Sequence, residues 1–278
     1  MMGILVADSG GTKTDWAYLN EKGTMHFSGS GLHPAYMSGD DITEEIRRTV
    51  SAQPSQIYFY GAGCHGPEPV SKIKGAIQEA LPDAFITVRD DLTGVARAHL
   101  QKSGGLIVAL GTGSICGRYQ DGEILRRSAA LGYAIGDEGS AADLGRVLLK
   151  AYFRQTLNKN TSEKVAERLQ HVTYSDCMDK IYGSSRPNRE LASFAGMVFE
   201  GALTDQLKEL ISSRFLAFID SQFESLQPGK KEQIVCSGSV AIAHAGALKQ
   251  AFLRRGYDQV SIKEDVIGGL ARYHSAGE

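Results

Sequence analysis

Ile4-Leu5-Val6-Ala7 runs directly into Asp8-Ser9-Gly10-Gly11-Thr12-Lys13-Thr14, and the chain continues as Asp15-Trp16-Ala17-Tyr18-Leu19-Asn20. The first four residues read as a short apolar strand. The last six alternate polar and apolar, as a half-buried strand does. The glycine pair therefore joins two strands as a hairpin, whereas a P-loop joins a strand to a helix. The spacing G-x-x-x-x-G-K-[ST] occurs nowhere in the chain. Asp8 stands at a buried strand end, where an aspartate costs free energy unless a cation or a ring of donors compensates it. Gly10 and Gly11 let the backbone turn tightly, so that its amides can face an anion. Thr12 and Thr14 add hydroxyl donors and Lys13 adds positive charge. The plainer alternative is an ordinary Gly-Gly turn.

The pattern has an echo about a hundred residues on. Leu106–Leu110 is another apolar strand, followed by Gly111-Thr112-Gly113-Ser114 and a second strand through Gly117-Arg118-Tyr119 to an Asp121-Gly122 turn. Val6-Ala7 matches Val108-Ala109, Gly11 matches Gly113, and Thr12 matches Ser114. Two such hairpins, each opening one half of a chain, predict a duplicated domain whose halves face each other across a cleft and grip one polyphosphate from both sides.

At 278 residues and 42% hydrophobic, the chain is long enough for two cores. The net charge of −2, with Lys and Arg scattered, gives nucleic-acid or polybasic membrane binding no support. Cys64, Cys116, Cys177 and Cys236 form no C-x-x-C pair and no metal-ligand spacing, which predicts free thiols in a reducing compartment. No apolar run approaches 18 residues and no charged-then-apolar leader is present, so a soluble cytoplasmic protein is expected.

Strand-like runs fall at 3–8, 14–20, 24–28, 56–60, 85–89, 105–110, 114–120, 123–128 and 232–236, with a weaker one at 258–262. Ile42/Ile46/Val50, Val70/Ile73/Ile77/Leu81 and Leu144/Val147/Leu148/Ala151 carry helical periodicity. The stretch 138–226 is helix after helix. This order predicts an α/β chain with mixed sheets, antiparallel at the hairpins and parallel where helices cross over. The expected domains are 1–100 and 101–278, with the last helix able to pack back on the first. A seam is expected near 92–104.

Four further loops have competing readings. Gly61-Ala62-Gly63-Cys64-His65-Gly66 matches G-x-G-x-x-G literally, but it follows the fourth strand and Pro67 and Pro69 crowd the next helix, so a plain strand-to-helix turn is favoured. Cys64-His65 as a nucleophile pair is weaker still, since adjacent turn residues rarely point at each other. Asp90-Asp91 ends one strand and precedes a helix. It reads equally as an N-cap and as a carboxylate that takes a proton from a substrate hydroxyl. Gly136-Asp137-Glu138-Gly139-Ser140-Ala141 opens another helix, and its paired carboxylates between glycines suit a polyhydroxylated ligand. Ser237-Gly238-Ser239-Val240 is a small-residue strand-to-helix turn that could admit a ring or a phosphate.

Taken together, these motifs resemble the actin/sugar-kinase/heat-shock-chaperone ATPase superfamily, and within it the N-acetylglucosamine kinase-like group related to the ATPase activators of benzoyl-CoA reductases and dehydratases. The resemblance covers nearly the whole chain in order. It implies two ribonuclease-H-like domains closing on Mg-ATP and a sugar. Residues 8–14 match the first phosphate loop, residues 111–114 the second, and Gly238 and Ser239 the adenosine loop. The group's most specific motif is matched by G-D-E-G-S at 136–140. Asp91 falls at the catalytic base, and Asp8 at a magnesium ligand acting through water. Asp137, with Glu138, falls at the sugar hydroxyls, while Gly132 and Tyr133 lie in the floor of the sugar site. Two positions depart from the pattern. His33, before Pro34, stands where relatives tend to carry asparagine, and Ile115 stands where a further asparagine often follows the second phosphate loop.

The resemblance thus implies ATP-dependent phosphorylation of N-acetylglucosamine, N-acetylmuramic acid or glucosamine at a primary hydroxyl. ATP and Mg²⁺ are the implied cofactors, a small sugar the partner, and a homodimer is compatible with it. The rival expectations are an ATPase that drives a partner reductase or dehydratase through a shared iron–sulfur cluster, and a non-catalytic sugar-binding regulator.

Overall fold

The computed structural model describes residues 3–170 and 172–275. Its opening strand and hairpin partner are β1 (Ile4–Ser9) and β2 (Lys13–Asn20), followed by β3 (Gly23–Ser30), α1 (Gly39–Thr49), β4 (Gln56–Gly61), α2 (Pro67–Ala80), β5 (Phe85–Asp90) and α3 (Asp91–Leu100). These strands form one sheet in the order β3-β2-β1-β4-β5. The hairpins pair antiparallel, while β4 and β5 run parallel to β1 and to each other. Parallel neighbours require crossovers, and α1 and α2 supply them. Both helices carry the expected apolar stripes: Ile42 and Ile46, then Ile73 and Ile77, are buried against Leu5, Ile57 and Phe59. Ser38 closes a capping box with Asp41 at the start of α1.

The second set begins with β6 (Gly105–Leu110), β7 (Ser114–Gln120) and β8 (Glu123–Arg127), then α4 (Gly132–Ile135), α5 (Ala141–Phe153), α6 (Lys159–Arg168), α7 (Tyr174–Tyr182), α8 (Pro187–Phe199) and α9 (Asp205–Phe218). The chain continues through a π-helical turn at Ile219–Phe223 and a 3₁₀ turn at Glu224–Leu226. It then forms β9 (Ile234–Ser237), α10 (Ser239–Ala243), α11 (Ala245–Arg254) and β10 (Val260–Ile262), and closes with α12 (Val266–Ser275). The second sheet has the order β10-β9-β6-β7-β8. Read from β8, it repeats the first sheet strand for strand, and β9 and β10 again run parallel. The duplication in the sequence is therefore a duplication of topology.

The run 138–226 is helical, as its periodicity predicts. Its apolar faces, among them Leu148, Val165, Phe194, Ile211 and Phe215, form one core with β6 and β9. The single helix expected after Gly238 breaks at His244, whose backbone leaves helical dihedrals.

The chain divides into two compact units. Residues 3–103, 119–123 and 265–275 make the first, and 104–118 and 124–264 the second. α12 belongs to the first unit, where it packs on α3, β1 and β2. A side chain at Gly269 would stand 2.5 Å from the Ala98 carbonyl oxygen, so this contact needs glycine. Among the described residues no helix is long and apolar enough to cross a membrane.

Candidate active site

In the first unit, the carboxyl ends of β1, β4 and β5 lie in register: Ser9 pairs with Gly61, and Gly61 with Asp90. Loops leaving the carboxyl ends of parallel strands are where such sheets bind ligands. The β1–β2 loop turns through a bond from the Gly10 amide to the Lys13 carbonyl (2.9 Å). Gly10 to Lys13 are exposed, and a side chain at Gly11 would meet nothing within 4 Å. Lys13 pairs with Asp15 at 2.7 Å. Thr14, expected among the phosphate donors, is wholly buried and donates its hydroxyl to the Ser30 carbonyl (2.8 Å), while Ser9 Oγ lies 2.8 Å from Thr14 Oγ1. In this conformation it braces the loop. Gly31, which the sequence reading passed over, crosses above it: a Cβ there would lie 2.4 Å from the Gly10 carbonyl oxygen.

The Asp90-Asp91 ambiguity resolves in the local geometry. Asp90 caps α3, accepting from the Thr93 amide (3.2 Å) and the Thr93 hydroxyl (2.8 Å). Asp91, the first residue of α3, accepts from the Leu92 amide (2.9 Å). Burial and the Asp90 charge push its carboxyl up from the ordinary aspartate value, against a lowering by His65. Burial, then the charges of Asp91 and Asp15, push Asp8 up to about 7. These carboxylates repel one another, an arrangement a divalent cation relieves. The same acidity acts on Cys64, whose thiol burial, Asp91 and Asp90 push up to about 12, so it holds no thiolate at neutral pH.

His33 is half-buried. Its Nδ1 accepts from the Ala35 amide (3.2 Å), which leaves the Nε2 position for the proton of the neutral ring. The ring packs against Tyr36, centroids 4.5 Å apart, and a Cβ at Gly63 would lie 2.6 Å from it. The second glycine of G-x-G-x-x-G thus makes room for His33.

In the second unit, the loop after β6 is held by the start of α5. The Ala141 and Ala142 amides donate to the Gly111 and Thr112 carbonyls (2.9 and 3.2 Å). Asp137, at φ 57°, accepts from the Ser114 amide (3.3 Å), and a Cβ at Gly113 would approach its carboxylate to 3.2 Å. Burial pushes the Asp137 carboxyl up, with the Ser114 bond opposing. The structure thus sets Asp137, expected at the sugar hydroxyls, beside the second phosphate loop.

Two further residues brace this loop and the 136–140 segment beside it, and sequence reasoning missed both. Gln222, on the π turn and 8% exposed, donates to Ser114 Oγ (2.8 Å) and to Glu138 (2.9 Å), and accepts from Ser128 Oγ (3.3 Å). One amide therefore joins the phosphate loop to the G-D-E-G-S segment. Asp143, fully buried, accepts from the Gly139 amide (3.0 Å), Arg146 (2.6 Å) and Arg214 (2.6 Å). Neither has a local motif. The only available signal was a polar residue on an otherwise apolar helical stripe.

Gly238 sits at φ 102°, with a Cβ position 2.4 Å from the Leu110 carbonyl oxygen, so β6 and the β9–α10 turn approach closely only because it is glycine. Thr112 and Ser239 line a cavity of about 500 Å³ together with Ala192, Gly196 and Phe199 of α8 and His244. Its size and mostly small-residue wall suit a nucleoside. Tyr133 does not reach it, and lines a different cavity on α5. Gly132, at φ 73°, is exposed. Among the described residues no group of three or more His, Cys, Asp or Glu side chains gathers as a metal cluster.

No protein-family profile matches the chain. An N-acetylmuramic acid/N-acetylglucosamine kinase of Clostridium acetobutylicum is 29% identical over 223 residues, spanning 75% of this chain and 72% of that protein. A provisionally assigned N-acetylglucosamine kinase of Porphyromonas gingivalis, known as a crystal structure, superposes with a TM-score of 0.90 at 28% identity, covering 99% of both chains. In sequence and in fold the chain is similar to the sugar kinases of the actin/sugar kinase ATPase superfamily. A second provisionally assigned N-acetylglucosamine kinase, from Chromobacterium violaceum, shares the fold at a TM-score of 0.77 and 19% identity, covering 98% of this chain and 99% of its own. The superfamily's two-sheet architecture is the one described above.

Proposed function

We propose that the protein transfers the γ-phosphoryl group of ATP to a primary hydroxyl of an amino sugar, N-acetylglucosamine or N-acetylmuramic acid. The observation that carries this reading is the division of labour at Asp90-Asp91. Asp90 caps α3 through Thr93, while Asp91, which accepts from the Leu92 amide, keeps a carboxyl raised above its ordinary value. A carboxylate so raised is a stronger base than an exposed aspartate and can hold the proton of an attacking hydroxyl.

When bound, Mg-ATP supplies the transferable phosphoryl group and a cation to neutralise it. Asp8 fits that cation, because magnesium takes one or two carboxylates and the repulsion on Asp8 is what a cation removes. The exposed Gly10–Lys13 turn and the Gly111–Ser114 loop would orient the phosphates, each rigidified from behind by Thr14 and by Gln222. Ser239 and α8 would border the nucleoside. Glu138 and His33 would meet sugar hydroxyls, the His33 Nε2 proton standing in for the amide donor of asparagine, and Asp137 would do so from its place beside the Gly111–Ser114 loop.

The activator reading requires cysteines presented to a cluster, and all four cysteines here are buried. A coupled ADP-release assay over hexoses, hexosamines, N-acetylhexosamines and N-acetylmuramic acid tests the proposal. Sugar-dependent ADP release confined to amino sugars is expected. ADP release that no sugar stimulates would overturn it.

A further inference from the structure

A second cavity of about 650 Å³ opens in the second unit and shares no lining residue with the one beside Thr112 and Ser239. Its walls are aromatic. Tyr133, Phe153, Tyr174 and Tyr182 line it, and Phe153 meets Tyr174 edge to face with centroids 5.4 Å apart. Tyr174 is 61% and Tyr182 81% exposed, unusually open for rings that border a pocket.

Along one side runs a row of cations. Arg146, Lys150 and Arg154 recur every fourth residue, which on a helix places them on one face roughly 6 Å apart. Arg146 is committed to Asp143 at 2.6 Å. Lys150 and Arg154 make no side-chain hydrogen bond or ion pair among the described residues, and no acidic side chain described there lines the cavity. Cations at a helix C-terminus also offset its dipole. That accounts for the charges but not for four ring walls beside them.

The two features together specify a ligand: a flat ring to cover the aromatics and adjacent negative charges to meet two cations one turn apart. A neutral sugar meets neither, and a bare phosphate leaves the rings uncovered. We propose that this cavity is a second nucleotide site that takes a nucleoside diphosphate, its base against Phe153, Tyr174 and Tyr182 and its diphosphate on Lys150 and Arg154. The site does not depend on the kinase reading. Because Tyr133 lies in α4, directly ahead of the Gly136–Ser140 loop, an occupant would bear on the segment leading into that loop.

Isothermal titration with UDP, CDP and GDP, in the presence of saturating non-hydrolysable ATP analogue, tests the site. At least one is expected to bind, one per chain, with uridine alone and pyrophosphate alone each weaker than UDP. The double variant Lys150→Glu/Arg154→Glu should weaken binding roughly tenfold or more, the loss of two charge-assisted contacts. Tyr182→Ala should weaken it several-fold, roughly the worth of one stacking contact. Melting temperature and affinity for the ATP analogue should stay at wild-type values in both. No diphosphate binding at millimolar concentration would overturn the proposal, as would binding that both variants leave unchanged. Light scattering that shows a dimer dissolved by these variants would also overturn it, since a second copy would then fill the cavity.

Discussion

Gln222 shows how one residue can hold two loops. Its amide satisfies Ser114 and Glu138 at once in a buried setting, and it projects from a π turn, a feature that recurs at functional sites. Gln222→Leu keeps the volume and strands both partners, at a cost of about 1–3 kcal/mol. We expect a modest fall in melting temperature and a clear rise in KM for ATP, measured by ADP release. An unchanged KM would show that the amide only fills space. His33 is one of the two positions where the family resemblance leads to asparagine and this chain has another residue. With Nδ1 accepting from Ala35, the ring presents Nε2. His33→Asn should therefore reorder the sugar panel while leaving ATP affinity in place. An unaltered ranking would mean that the ring serves only to pack on Gly63 and Tyr36. The Asp90-Asp91 pair was legible in the sequence as two carboxylates. Which one caps α3 was not, because capping depends on the dihedral at which β5 ends.

Elements carry the next level of constraint. The β9–α10 turn is fixed by Gly238, where Ala would combine an unfavourable φ of 102° with a contact 2.4 Å from the Leu110 carbonyl. Gly238→Ala should cost at least about 1 kcal/mol and broaden the loop beside Ser239. Chemical denaturation read with nucleotide affinity would register both effects, and a fully stable variant would contradict the close approach. α12 is anchored on the first unit by His274. Its ring stacks on Tyr58 with centroids 3.7 Å apart, and its Nε2 lies 2.9 Å from the Tyr60 hydroxyl, while Nδ1 is buried with no partner among the described residues. Burial, helped by Arg97, pulls its pKa down to about 4 from an unfolded value near 6.5. A depressed histidine is protonated first in the unfolded chain, so its contribution to stability is intact above pH ~6.5 and is lost as pH falls toward 4. The difference in stability between wild type and His274→Gln should shrink across that window, by at most about 3 kcal/mol. A pH-independent difference would show that the imidazole is not held neutral. The hairpins were legible because periodicity two and a glycine pair are local signals. The return of α12 to β1 and the break at His244 were less so, since tertiary packing rather than helical pattern sets them.

At the scale of the molecule, the two sheets repeat one strand order, and each places a Gly/hydroxyl loop after its first strand. That duplication was readable because Val6-Ala7 and Val108-Ala109 introduce matching loops. What the sequence could not show is how each loop is braced: Thr14 turns inward onto Ser30, and Gln222 reaches Ser114 from a π turn far along the chain. On the reading proposed above, the duplicated topology serves phosphoryl transfer with Asp91 as the base and Asp90 as the cap. Sugar-dependent ADP release by wild type, Asp90→Asn and Asp91→Asn, with ATP affinity measured alongside, tests it most directly. Asparagine caps a helix about as well as aspartate, so Asp90→Asn should stay close to wild type. Asp91→Asn should keep its ATP affinity and lose a factor of ~10²–10⁴ in turnover. Equal turnover in the two variants, or full turnover in Asp91→Asn, would contradict it.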